Sequence, residues 1–64
     1  MKFLKFVCQY TQNPIFLNAE TFVNIEDVGS YRIVYYRKTQ DICSKLEIKD
    51  SMEEIEQELR NAEY

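Results

Sequence analysis

The chain has 64 residues, no histidine, one glycine and a formal net charge of −3. This length allows one small domain, which buries only about 60% of the surface that its unfolded chain exposes. The lack of histidine and of a Cys-x-x-Cys pair argues against a zinc site, and a single glycine excludes a glycine-rich phosphate loop. We therefore expect one domain over residues 1–64, with no metal and no cofactor.

The two cysteines, Cys8 and Cys43, are far apart in the sequence, whereas a small secreted scaffold normally carries four or more. We expect both thiols to be buried or half-buried small hydrophobes, and the sequence leaves a single Cys8–Cys43 bridge open as the alternative. Lys5 interrupts the apolar N-terminal stretch, and no segment approaches the ~20 apolar residues of a membrane span. These features predict a soluble, cytoplasmic protein with no membrane partner.

Alternation of apolar and polar residues predicts three strands in the first half of the chain. Residues 2–10 place one set of side chains on a single apolar face: Leu4, Phe6, Cys8 and Tyr10. Residues 11–14 carry a turn signal that ends in a proline, and a short strand follows at 15–17. After an interruption at 18–20, extended structure resumes at 22–26.

The second half predicts two further strands. Residues 27–30 contain the chain's glycine and favour a tight turn. Residues 31–37 are β-branched or aromatic at five of seven positions and form the strongest strand signal. In it, Ile33 and Tyr35 point to one face, and Val34 and Tyr36 to the other. After a polar turn, residues 42–48 alternate again.

The period changes from two to 3.6 residues at Asp50. Ser51 and Glu54 form a capping box, which marks a helix start. The apolar residues that follow lie on one stripe of a helix over about residues 51–62: Met52, Ile55, Leu59 and Ala62. The predicted fold is therefore α+β and mostly β, with four or five short antiparallel strands within residues 2–49 and one C-terminal helix.

Several segments resemble a known group, the small bacterial flagellar-operon proteins of the FlbD type and similar short phage-encoded proteins. The resemblance lies in residues 16–20, Val23, residues 25–26, residues 46–51 and residues 53–55. The sequence departs from that group at residues 37–41, where those proteins usually carry an Asn-Gly or Asp-Gly step. The resemblance implies a similar β-rich fold and no particular activity.

Residues with catalytic potential are few. There is no histidine base, and neither cysteine has an activating partner nearby in the sequence. The paired carboxylates are confined to the predicted helix, where they are typical of a solvated face. We therefore expect a protein that is not an enzyme.

The strand at residues 31–37 also predicts the binding site, because tyrosine and arginine dominate interface hot spots. The candidate residues are Tyr31, Arg32, Tyr35, Tyr36, Arg37 and Lys38. Three roles remain open for them: a protein interface, a site for a nucleotide-like anion, and a single-stranded RNA surface. Ordinary packing of the rings, with solvated cations, is the fourth explanation.

Apolar side chains on both faces of the strands predict a second cover in addition to one short helix. In a chain of this length the cover is another subunit or a target protein, so we expect a homodimer or larger oligomer. The predicted function is a non-catalytic interaction protein that acts stoichiometrically on a protein partner, as an adaptor or a phage-type inhibitor. Net acidity argues against binding of double-stranded DNA.

Overall fold

The computed structural model describes residues 2–63, and these form five strands followed by one helix. The strands are β1 (Phe3–Val7), β2 (Pro14–Asn18), β3 (Phe22–Asp27), β4 (Arg32–Arg37) and β5 (Cys43–Ile48), and helix α1 spans Met52–Glu63. A single turn of 3₁₀ helix, Ala19–Thr21, lies between β2 and β3. The predicted fold class is confirmed: the strands lie within residues 2–49 and the helix ends the fold.

The strands form two antiparallel sheets that meet near the end of β1. One sheet pairs β1 with β2, and the other has the order β3-β4-β5. A bridge between Cys8 and Ile48 joins the two sheets. Around it, the Gln9 N–H donates to the Glu47 carbonyl at 2.9 Å and the Lys49 N–H donates to the Val7 carbonyl at 3.0 Å. The five strands therefore follow the spatial order β2-β1-β5-β4-β3.

The first strand is shorter than the alternation predicts. It ends at Val7 because the chain then turns: the Cys8 N–H donates to the Asn13 carbonyl at 2.9 Å, and Gln12 takes a positive φ of 64°. Tyr10, expected on the buried side of β1, is 73% exposed as a result. The turn between β3 and β4 forms where predicted, with Gly29 at φ 100°.

The core lies between the two sheets and the helix. Its buried members come from four strands and from α1: Leu4, Phe6, Leu17, Val34, Ile48 and Ile55. Each fully buried side chain of this kind contributes about 1.5–3 kcal/mol relative to an exposed one. The whole apolar stripe of α1 packs on this core, although Ile55 is its only fully buried residue within the described part of the chain.

Polar contacts fix where α1 begins and how it lies on β1. The Ser51 N–H donates to Glu54 Oε1 at 2.9 Å and the Glu54 N–H donates to Ser51 Oγ at 3.2 Å, so the predicted capping box forms. These bonds also hold the pKa of Glu54 below its usual value. Asp50, which directly precedes the capping box, accepts the Val7 N–H at 2.7 Å. Within residues 2–63, no helix is long and apolar enough to cross a membrane.

Candidate binding site on the three-stranded sheet

Strand β4 divides the candidate residues between two faces of its sheet. Val34 is fully buried, and Arg32 and Tyr36, two residues to either side, share its inner face. Tyr35 and Arg37 lie on the outer face, which the helix does not cover. Of the remaining candidates, Tyr31 precedes β4 and Lys38 follows it. The six residues predicted as one site therefore do not form one surface.

Arg32 belongs to the packing of the inner face. Its side chain is 18% exposed, and its Nε atom lies 3.3 Å from Asp27 Oδ1. That distance is short enough for an ion pair, but within residues 2–63 the buried Nε atom has no hydrogen-bond partner of good geometry. The same Asp27 oxygen accepts the Gly29 N–H at 2.9 Å. The fourth explanation, ordinary packing with solvated cations, therefore does not hold for the Arg32 cation, which is folded against the sheet.

The outer face has an acidic row across its three strands. Glu26 of β3 and Glu47 of β5 are both register partners of Ile33 on β4. Since neighbouring strands are about 4.8 Å apart, the two glutamates stand roughly 10 Å apart with the half-buried Ile33 between them. The sequence prediction missed both glutamates, because their position depends on strand register, which alternation alone does not give.

Two tyrosine hydroxyls on this face are held by those glutamates. Tyr35 donates its hydroxyl to Glu26 at 2.9 Å, and Tyr10 donates its hydroxyl to Glu47. Both hydrogen bonds raise the pKa of the tyrosine concerned above its ordinary value of 10.0. Tyr31 is close enough to Tyr10 to contribute to the rise in the pKa of Tyr10. The tyrosine rings therefore stand in fixed positions at the surface.

The other end of the outer face is basic. Lys45 is the register partner of Tyr35, and Arg37 ends β4 one row further along. An open groove of about 290 Å³ lies here, lined by Tyr35, Cys43, Ser44 and Lys45. The outer face is thus divided along the strands into an acidic half around Ile33 and a basic half around Tyr35.

A second apolar surface lies on the β1–β2 hairpin. Phe3 is 53% exposed and Phe16 is 64% exposed, and the pairing of Phe16 with Lys5 places both rings on the side away from the core. Alternation predicts this side for Phe3 but gives no signal for Phe16. Lys5, the exposed register partner of Phe16, lies on this same side of the hairpin.

The cysteines lie apart and both are free. Cys8 is half-buried as expected, and hydrogen bonds from Thr11 lower the pKa of its thiol. Cys43 is exposed, so the expectation of burial is wrong for it, because it starts β5 on the outer face. Among residues 2–63, no three Cys, Asp or Glu side chains cluster closely enough to hold a metal ion.

No protein-family model, curated protein or solved structure matches this chain. The resemblance to the FlbD-type proteins therefore stays a prediction.

Proposed function

We propose that this chain is a non-catalytic protein-binding module, which acts stoichiometrically on a protein partner through the outer face of the β3-β4-β5 sheet. The observation that carries the proposal is the pair of Tyr–Glu hydrogen bonds on either side of Ile33. Tyrosine is enriched at protein interfaces because it is large, fairly rigid and polar at one end.

Fixed rings favour binding for an entropic reason. Ordering one mobile side chain at an interface costs about 0.5–1.5 kcal/mol. The hydroxyls of Tyr10 and Tyr35 are already bonded to Glu47 and Glu26, so part of this cost is met when the chain folds. Ile33 supplies apolar area at the centre of the face, where hot spots usually cluster.

The geometry supports a protein partner over a nucleotide or single-stranded RNA. Phosphate recognition by two arginines needs both on one surface, but Arg32 lies on the inner face and Arg37 on the outer face. On the outer face, the carboxylates of Glu26 and Glu47 stand beside the tyrosine rings and would repel a phosphate backbone. The same carboxylates complement the cationic side chains of a protein.

Capture from a native lysate of the source cells tests the proposal. The immobilised chain should retain a partner in about equimolar amount, and Tyr35→Ala should reduce this retention at least ~30-fold, the loss expected for a hot spot of about 2 kcal/mol. The matched control is Phe16→Ala, which removes an exposed ring from the other surface. If Tyr35→Ala retains the same partner as fully as the unchanged protein does, the outer face is not the binding site.

A further inference from the structure

We propose that the outer face of the β3-β4-β5 sheet binds a second copy of this chain, in a two-fold dimer with a defined register. The inference rests on the proposed function in that it assigns the same face, and it adds the identity of one partner. Its basis is the division of the face into an acidic half at Glu26, Ile33 and Glu47 and a basic half at Lys45 and Arg37.

A face divided in this way is complementary to itself. In a two-fold dimer, each contact between two different residues occurs twice. If the axis lies between the sheets and runs across the strands, it reverses the strand direction, so the acidic half of one copy meets the basic half of the other. An axis along the strands would instead place Glu26 of one copy against Glu47 of the other, which like-charge repulsion disfavours.

The pairing of strands gives the register of the dimer. We place the axis level with Val34 and Leu46, which are register partners. Each strand then lies over the same strand of the partner protomer. Glu47 of one protomer then faces Lys45 of its partner, and Ile33 of one protomer faces Tyr35 of its partner. Further from the axis, Tyr31 faces Arg37 of the partner, which suits stacking of a guanidinium group on an aromatic ring.

The side chains at these contacts are accessible to a partner protomer. Lys45 and Arg37 are exposed, and Ile33, Tyr35 and Glu47 are half-exposed. Tyr10 binds Glu47 through Oε2, so the carboxylate keeps Oε1 for a lysine of the partner. Face-to-face sheets pack about 10 Å apart with their strands within about 30° of each other, so the contacts nearest the axis match best.

The size of the face sets the expected affinity. Three strands of six residues cover roughly 14 by 20 Å, which is less than the ~800 Å² per partner of a standard interface. We therefore expect a weak dimer that forms reversibly.

Exchange of the two charges on β5 tests the register. Sedimentation equilibrium from about 10 μM to about 1 mM, a range in which weak interfaces dissociate, should give a monomer–dimer equilibrium. Glu47→Lys places two lysines opposite each other, and Lys45→Glu places two glutamates opposite each other. Each single change should raise the dissociation constant at least ~10-fold because the charges repel.

The double variant K45E/E47K restores opposite charges in the proposed register, so its dissociation constant should return to within about threefold of the original. Glu56→Lys and Lys2→Glu alter net charge by the same amounts at exposed sites off this face, and isolated surface charges of this kind have small effects, within about threefold. Circular dichroism checks that every variant folds. Should a single variant unfold, the double variant and the other single variant still decide the register.

A monomeric protein at every concentration, or a double variant that dimerises no better than the single ones, would overturn the inference. So would concentration-dependent amide shifts confined to Phe3 and Phe16, which would assign the dimer to the hairpin surface. The proposed function fails separately, when lysate capture does not depend on Tyr35. A monomer with Tyr35-dependent capture therefore overturns the dimer alone, and a rescued dimer without such capture overturns the proposed function alone.

Discussion

Ile55 and Leu59 are neighbours on the apolar stripe of α1, but the core encloses them to different extents. Ile55 is 0% exposed, whereas Leu59 is half-buried and lines an open pocket of about 320 Å³ beside Leu4 and Phe22. Deleting a fully buried side chain to alanine costs about 2–5 kcal/mol, and less where the site is already open to solvent. The two residues should therefore differ as anchors of the helix, although the sequence pattern ranks them alike.

We expect Ile55→Ala to leave the chain largely unfolded at 25 °C, because a core of this size supplies only about 3–5 kcal/mol in total. Leu59→Ala should stay folded and lose about 1–2 kcal/mol, as a partly exposed position does. Circular dichroism without denaturant measures the folded fraction of Ile55→Ala, and urea unfolding measures the loss in Leu59→Ala, with Glu56→Ala as a solvent-facing control. Equal losses for the two variants would show that the C-terminal half of α1 packs as tightly as its first half.

Tyr35 offers a test at alkaline pH. Its hydrogen bond to Glu26 raises the pKa of the hydroxyl, so the folded chain holds this proton more tightly than the unfolded chain does. The contribution to stability is fully present below the unfolded pKa of about 10 and is lost as the pH rises through the folded pKa. Glu26→Gln should lower the pKa of Tyr35 towards its ordinary value, as followed by NMR of the tyrosine ring.

Tyr10 is the internal control for this titration, because its hydroxyl is bonded to Glu47 and not to Glu26. Its pKa should stay raised in the Glu26→Gln variant. A Tyr35 titration that does not respond to Glu26→Gln would mean that the Tyr35–Glu26 hydrogen bond does not hold the ring in solution.

At the scale of elements, polar side chains or a proline occupy single positions on strand edges. Glu58 of α1 accepts the Lys5 N–H of β1 at 3.0 Å, and Asn24 Oδ1 accepts the Ile25 N–H of β3 at 2.7 Å. Strand β2 begins at Pro14, which has no N–H to donate. Since unpaired edges recruit other strands, these contacts disfavour pairing with another strand at those positions.

Glu58→Ala should open the edge of β1 locally. The Lys5 amide loses its acceptor, so its hydrogen exchange should accelerate at least ~10-fold, since an exposed amide bond opens without global unfolding. The Phe6 amide, which by alternation faces β2, should be unchanged. Glu56→Ala, on the solvent side of the same helix, is the matched control. Equal acceleration at Lys5 and Phe6 would mean that the variant loosens the whole fold.

Elements whose signals are local could be predicted, and contacts between distant segments could not. The capping box joins Ser51 and Glu54, which are three positions apart, and its geometry follows from the sequence alone. Asp50 has the same local chemistry as a cap, but its partner Val7 is 43 residues away. The sequence predicts the turn at residues 11–14 but not that β1 already ends at Val7, because a positive φ of 64° at Gln12 is one that residues other than glycine seldom adopt.

For the whole molecule, the candidate site also depends on contacts between distant segments, which the sequence pattern does not give. Alternation along β4 correctly separates Ile33 and Tyr35 from Val34 and Tyr36. The outer face is completed by Glu26 and Glu47, which reach Ile33 through the register of three strands. Register depends on turn lengths and on packing of the opposite face, so it could not be derived from the pattern of one strand.

The placement of the arginines leads to a prediction about nucleotides. Arg32 and Arg37 lie on opposite faces, separated by five residues or about 17 Å along β4. Arg32 is also engaged with Asp27, at 3.3 Å. One phosphate group therefore cannot contact both guanidinium groups.

We expect nucleoside mono-, di- and triphosphates, cyclic dinucleotides and a short oligouridylate to leave the melting temperature unchanged within about 1 °C. A ligand present at 100 times its dissociation constant stabilises the folded state by about 2.7 kcal/mol. In a domain of this size, each kcal/mol raises the melting temperature by roughly 4–8 °C. Real binding would thus be evident in a thermal-shift assay at millimolar ligand. A rise of several degrees that disappears in Arg37→Ala would contradict the protein-binding assignment and favour an anion site on the outer face.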